Sequence, residues 1–307
     1  MNNLIYIIKN KLFKISKEAN KIKRPSYVEL IKYQDFNRTD DNKLALGFSA
    51  GRSGSNWFSK LFNSHPNWIG TCERFADYEA FYRYVSYYNL PINKDNFFKL
   101  IELSSKRDMS KYQNSFISSS YLSFGVHELT KQLDPDYIFF NIRDPKKCVE
   151  SLFKKGWYLF YEDKRKIKSP LFDITNNQYR SFSRIIPKDD FLEEWLSLSR
   201  IGKIAWYWST INKSIKDDFD KIQNTKKYFV KLSDVDQNFE AYLSLVKKLN
   251  FKNVLSKGQF YNVINKASNK GKGEKYFYKN WNSLEKKEFE KIIDKFFPYY
   301  DEIITNI

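Results

Sequence analysis

The chain has 307 residues, 42% of them hydrophobic, enough to bury a sizeable core and too many for a disordered chain. Its formal charge of +17 fits a polyanionic substrate, nucleic acid or an anionic membrane surface, but the lysines are scattered and a solvated basic surface fits equally well. Two cysteines (Cys72, Cys148) and two histidines (His65, His127) exclude a disulfide framework and a zinc cluster, and a reducing, cytoplasmic compartment is expected.

Leu4–Ile8, followed by Lys9, Lys11 and Lys14, is too short and too charged to span a bilayer and lacks the order of a signal peptide. It reads as a basic amphipathic helix, either packed on the protein's own core or touching a membrane peripherally. Arg24-Pro25 breaks it, and residues 1–41 are expected to form a helical extension ahead of a single domain over 42–307.

Leu44–Phe48 is an apolar run that predicts a buried strand, and Phe58, Leu61 and Phe62 repeat at helical spacing after it. Between them, Ser49-Ala50-Gly51-Arg52-Ser53-Gly54-Ser55-Asn56-Trp57 is rich in small residues that let the backbone turn sharply. Two readings stand open for this turn: an anion cradle at a helix start with Arg52 beside it, or an ordinary turn with Ser53 as N-cap. Ser64-His65-Pro66 stops the helix, with His65 expected near its last carbonyls.

Trp68–Cys72 predicts a short strand, and Glu73-Arg74-Phe75 leads into an aromatic helix through Tyr78, Phe81, Tyr82 and Val85. Residues 89–120 read as mixed helix and loop, and Leu122–Leu129 as another strand carrying His127. Tyr137–Ile142 is a near-continuous apolar run without alternation, as in a parallel-sheet strand buried on both faces. Asp144 and Pro145 then suit the N-cap and first position of a helix that carries Ser151, which puts Arg143 at a strand's carboxyl end, where open α/β sheets hold ligands. Further on, a long helical region is expected from Phe191 to about Asn224, a strand at Tyr228–Leu232, a helix over Phe239–Leu249, and a Lys/Gly loop at 268–273. The last helix runs from Ser283 to Tyr299, opened by an Asn282/Glu285 capping box.

Gly51–Trp57 together with Arg143-Asp144-Pro145 and Ser151 resembles the sulfotransferase family that uses 3′-phosphoadenosine-5′-phosphosulfate (PAPS). Ser64-His65-Pro66 and Tyr278–Ser283 resemble further segments of that family. The resemblance implies a three-layer α/β/α fold with a mainly parallel central sheet, akin to P-loop nucleotide kinases. It also implies transfer of a sulfuryl group from PAPS to an acceptor hydroxyl, leaving 3′-phosphoadenosine 5′-phosphate. By the same resemblance Arg52, Ser53, Gly54, Ser55 and Asn56 would hold the 5′-phosphosulfate. Arg143 and Ser151, with Lys270, Lys272 and Gly273, would hold the 3′-phosphate, and Trp57 would pack on adenine. Arg52 stands where many members have Lys, and Asn56 where they have Thr.

Two candidates for the general base follow from the resemblance. Glu73 matches the carbohydrate and protein-tyrosine enzymes, and His127 those acting on small alcohols and phenols. Glu73 tilts the expected acceptor toward a carbohydrate or glycolipid, with a small molecule or a tyrosine as alternatives. A nucleotide-dependent phosphotransferase is disfavoured because the loop lacks Gly-x-x-x-x-Gly-Lys-Ser/Thr. The remaining alternative is a basic protein that binds an anion, nucleic acid or a membrane surface without catalysis; for the enzyme, no nucleic-acid partner is expected.

Overall fold

A computed structural model describes residues 24–159, 184–235, 238–249, 251, 253–264 and 276–305. The expected amphipathic segment at Leu4–Ile15 and the loop with Lys270, Lys272 and Gly273 lie outside the described residues. In chain order the elements are α1 (Tyr27–Ile31), β1 (Leu44–Phe48), α2 (Ser55–Asn63), β2 (Trp68–Cys72), α3 (Ala76–Tyr88), α4 (Asp95–Tyr112) and β3 (Asn114–Ser119). Then come α5 (Val126–Leu133), β4 (Tyr137–Ile142), α6 (Pro145–Lys154), α7 (Phe191–Ser197), α8 (Arg200–Lys221) and β5 (Lys226–Lys231). The described part closes with α9 (Leu232–Val235), α10 (Phe239–Lys248), α11 (Lys257–Ile264), α12 (Ser283–Phe296) and α13 (Tyr300–Thr305).

The five strands form one sheet in the order β2-β3-β1-β4-β5, with every pair parallel. Side chains alternate between its two faces. Leu44, Leu46, Ile117, Ile138 and Phe140 join one apolar cluster with α3, α4, α6, α8 and α12. Ala45, Phe116, Tyr137 and Phe139 join the other, with Phe58, Leu61 and Phe62 of α2 and Tyr242, Leu245 and Val246 of α10. The result is the α/β/α layering expected for a sheet whose strands have no polar face. Phe62 stacks on Phe116 with centroids 4.0 Å apart, and each such buried ring contributes about 2–3 kcal/mol of transfer free energy. Gly70 lets α2 lie directly on β2, because a Cβ there would run into the Ser59 main chain.

β4 and α6 follow the expectation closely, with the Asp144 carboxylate accepting from the Lys147 N–H at 2.9 Å and Pro at the helix start. The Asn282/Glu285 capping box is present at α12. The long helical region is two helices, because Leu198 is extended and Ser199 caps α8 by accepting from the Gly202 N–H. Within residues 24–41, Leu30 is fully buried against the core and Glu29 pairs with Arg107 at 3.0 Å.

One expected strand is misplaced. Leu122–Leu129 is not a strand: Tyr121–Ser123 forms a single 3-10 turn, Gly125 takes φ 81°, and α5 starts at Val126, so His127 stands exposed on a helix. The strand lies earlier, at Asn114–Ser119, wholly buried despite its serines. Ser115 and Ser119 find partners in the interior, and Ser118 packs against close backbone. A Cβ on Gly47 would come within 3.2 Å of Ser118 Oγ, and the Ser119 hydroxyl reaches a buried carboxylate on α3. Among the described residues no helix is long and apolar enough to cross a membrane.

Candidate functional site

The central strand β1 lies between β3 and β4, so its carboxyl end opens into the crevice where the chain order reverses. Three segments meet there: Ser49–Gly54 after β1, Ser119-Ser120 at the end of β3, and Arg143–Ser151 after β4.

The loop after β1 turns through left-handed conformations at Gly51 (φ 81°), Arg52 (58°) and Gly54 (93°). Successive turns of this kind aim main-chain N–H groups at one point, the geometry of an anion nest. Gly54 is the N-cap of α2 and no side chain caps that helix, so the Ser53 N-cap reading is not what forms; the buried Ser53 hydroxyl donates instead to Gly51 O at 3.3 Å. The loop is braced from both sides. Ser123 Oγ donates to Ser49 O at 2.8 Å, and the buried Cys148 thiol, pushed up to about 11 by burial, donates to Gly51 O at 3.1 Å. A Cβ on Gly54 would fall 2.5 Å from Leu232 Cδ1 in a backbone conformation costing an L-residue about 1–2 kcal/mol. Gly54→Ala is therefore expected to lower the melting temperature by several degrees in a thermal denaturation scan; an unchanged value would mean the cradle relaxes without strain.

Arg52 and Arg143 are linked in series. The Arg52 Nε donates to Ser151 Oγ at 2.9 Å, and the Arg143 Nη1 donates to the carbonyl of Arg52 at 2.9 Å. The two strand-to-helix junctions singled out in the sequence are thus one constellation, with Ser151 on the arginine of the first loop. Burial, with repulsion from Arg143, holds Arg52 below its ordinary pKa, and the exposed Lys155 is lowered by desolvation and then by Arg52. The cleft has a surplus of positive charge that an anion would relieve. Lys155 was not singled out in the sequence; its only signal there is its place four residues after Ser151, one helical turn along.

Glu73 sits in the turn after β2, itself left-handed (φ 50°), with its N–H on Ser118 O at 3.1 Å. Its Oε1 accepts from Ser120 Oγ at 2.6 Å, and its charge acts on Arg52. Arg74 is turned away into a buried pair with Asp108 at 2.9 Å. The structure brings Glu73 together with Arg52, Arg143 and Ser151. It does not bring His127, whose described contact is a main-chain N–H on Asp218 of α8 at 3.2 Å. His65 is a core residue, wholly buried, with Nδ1 2.7 Å from Asn253 O and its ring 4.2 Å from that of Phe251.

Asn56 and Trp57 are partly buried on the first turn of α2, and the buried Trp57 Nε1 has no hydrogen-bond partner. An uncapped helix start, a glycine-dependent cradle, two arginines and an orphaned indole N–H suit a phosphorylated ligand with an adjoining flat ring. The segment at Tyr278–Asn280 is tied to α6, since the Tyr278 N–H donates to Glu150 at 2.7 Å, and Trp281 is buried against Phe289. No group of three or more metal-ligating side chains occurs among the described residues.

No protein-family model matches the chain, and no curated protein matches it. Among solved structures, the chain is similar to the "Sulfotransferase Domain from the Curacin Biosynthetic Pathway", at 11% identity over 84% of this chain and 98% of that one, with a TM-score of 0.41.

Proposed function

We propose that the protein is a PAPS-dependent sulfotransferase acting on an acceptor hydroxyl of a carbohydrate or glycolipid. The observation that supports this most is the series Arg143–Arg52–Ser151, which joins an anion nest to a second cationic junction, with Glu73 on the same rim. PAPS, when bound, supplies an activated sulfuryl group on a phosphate leaving group.

In this reading the nest at Gly51–Ser55 and the Arg52 guanidinium hold the 5′ end and stabilise negative charge on the oxygen that leaves sulfur. Arg143 and Ser151 hold the 3′-phosphate, and Trp57 packs beside the base. Lys270, Lys272 and Gly273 would complete the 3′-phosphate site. Glu73, oriented by Ser120, takes the proton from the acceptor hydroxyl as its oxygen bonds to sulfur. Sulfuryl transfer asks little covalent work of the protein, so positioning and charge carry the rate.

The test is thermal stabilisation by adenosine 3′,5′-bisphosphate. At a hundredfold excess over Kd, binding contributes about 2.7 kcal/mol, on the order of 5 °C in melting temperature. ATP is expected to give little. Stabilisation by ATP alone would favour a phosphotransferase, and stabilisation by RNA alone, abolished by salt, a binding protein. A screen of glycans, phenols and tyrosine peptides with labelled PAPS then identifies the acceptor.

A further inference from the structure

Behind Glu73 lies a second carboxyl group that the mechanism above does not use. Glu79, in the first turn of α3, is 1% exposed. Its Oε1 accepts from the Phe75 N–H at 3.0 Å, capping α3 from within, and its Oε2 accepts from Ser119 Oγ at 2.6 Å. Ser119 Oγ in turn accepts from the Tyr121 N–H at 3.0 Å. Consecutive serines at the end of β3 therefore hold two carboxylates six residues apart, Ser119 holding Glu79 and Ser120 holding Glu73. The turn bearing Glu73 is clamped at both ends by the same strand.

Among the described residues no cation is hydrogen-bonded to Glu79, and Arg74 acts on it only through space. The charged and titratable groups around it are Glu73 and Cys72, which it meets as like or potentially like charges, and Arg74, whose guanidinium is paired with Asp108. Arg83, four residues on, is turned to the Tyr207 hydroxyl and the Ser120 carbonyl. Burial first, with Glu73 adding repulsion, raises Glu79 from 4.5 to about 7 against the hydrogen bonds from Ser119 and Phe75. Its titration therefore falls near neutral pH.

We propose that Glu79 is a positioning residue for Glu73, which fixes the turn carrying the base and favours proton uptake by it across that turn. This rests on the reading of Glu73 as general base. When Glu79 is ionised, transfer of the acceptor proton to Glu73 removes a repulsion between two carboxylates; when Glu79 is neutral there is no such gain. Glutamine at position 79 reproduces the neutral form. Its amide N–H donates to Ser119 Oγ and its oxygen accepts from the Phe75 N–H, so the clamp is kept while the charge is lost.

The test uses the full chain with 13C-labelled glutamate and follows side-chain carboxyl shifts against pH. In wild type Glu79 is expected to titrate near 7, and in Glu73→Gln its midpoint is expected to fall by at least half a pH unit. An unchanged midpoint overturns the coupling, whether or not the protein turns over PAPS. Stability gives a parallel reading. A carboxyl raised in the folded state contributes most below its unfolded value of about 4.5 and loses that contribution as pH rises through about 7. Wild type should therefore lose melting temperature over this window relative to Glu79→Gln. With labelled PAPS, wild-type kcat is expected to rise roughly 3- to 10-fold through pH 7, and Glu79→Gln to lack the step with KM for the nucleotide unchanged. Loss of bisphosphate binding in Glu79→Gln would mark a merely structural group and overturn the proposal. Absence of bisphosphate binding in wild type would count against the functional reading, and the carboxyl titration would still decide the coupling.

Discussion

Glu73→Gln is expected to lower turnover of labelled PAPS by about 10²- to 10⁴-fold, the range spanned by a positioned general base, while leaving nucleotide binding intact. The amide is nearly isosteric and its oxygen can still accept from Ser120 Oγ, so the left-handed turn and its hold on β3 have no reason to change. What is lost is the capacity to take a proton. Stabilisation by adenosine 3′,5′-bisphosphate should therefore be equal in the two proteins. His127→Ala, altering an exposed side chain on α5, should be silent in both assays. Full activity in Glu73→Gln combined with loss in His127→Ala would transfer the base to His127 and require α5 to rearrange in the complex.

Arg143→Ala should have the opposite signature, weak binding before any effect on chemistry. A charge-assisted hydrogen bond contributes about 1.5–3 kcal/mol, and a guanidinium engages phosphate with two, so a loss of roughly 10²-fold or more in bisphosphate affinity is expected by isothermal titration. Arg143 also donates to the carbonyl of Arg52, so its removal loosens the cradle as well as the phosphate contact. Arg143→Lys should recover only part of the affinity, because an ammonium lacks the planar fork that reaches a loop carbonyl and a ligand together. Unchanged affinity in Arg143→Ala would remove the 3′-phosphate site from this corner of the sheet.

Much of this arrangement was readable from residue patterns. β1, β2 and β4 are short, largely apolar runs, interrupted only by Thr71 in β2 and Asn141 in β4, and such runs have few alternatives to a buried strand. Asp144-Pro145 marks a helix start because both residues act through local chemistry. Asn114–Ser119 escaped because its burial is satisfied by tertiary partners: a Ser-rich stretch looks like a loop until Glu79, Asp108 and Gly47 are placed around it. Leu122–Leu129 misled for the converse reason, since its apolar spacing serves a turn at Gly125 and one face of a short helix. At the site, Arg52, Arg143, Ser151 and Glu73 each stand on a recognisable junction. That Arg52 contacts Ser151, that Ser120 holds Glu73 and that Glu79 stands behind it depend on which strands become neighbours, and no local pattern encodes that.

The sheet order also has a consequence for the growing chain. β1 is made early but pairs only with β3 and β4, which place Leu44 beside Ser115 and Ala45 beside Tyr137. Until the ribosome has delivered Asn114–Ser119 the central strand waits with both edges unpaired, and until it has delivered Arg143 and Ser151 the cradle lacks one of its walls. If the chain binds PAPS as proposed, binding should therefore arise only once Ser151 has been made, so a fragment ending before it would be a candidate for chaperone capture, with no ligand able to rescue it.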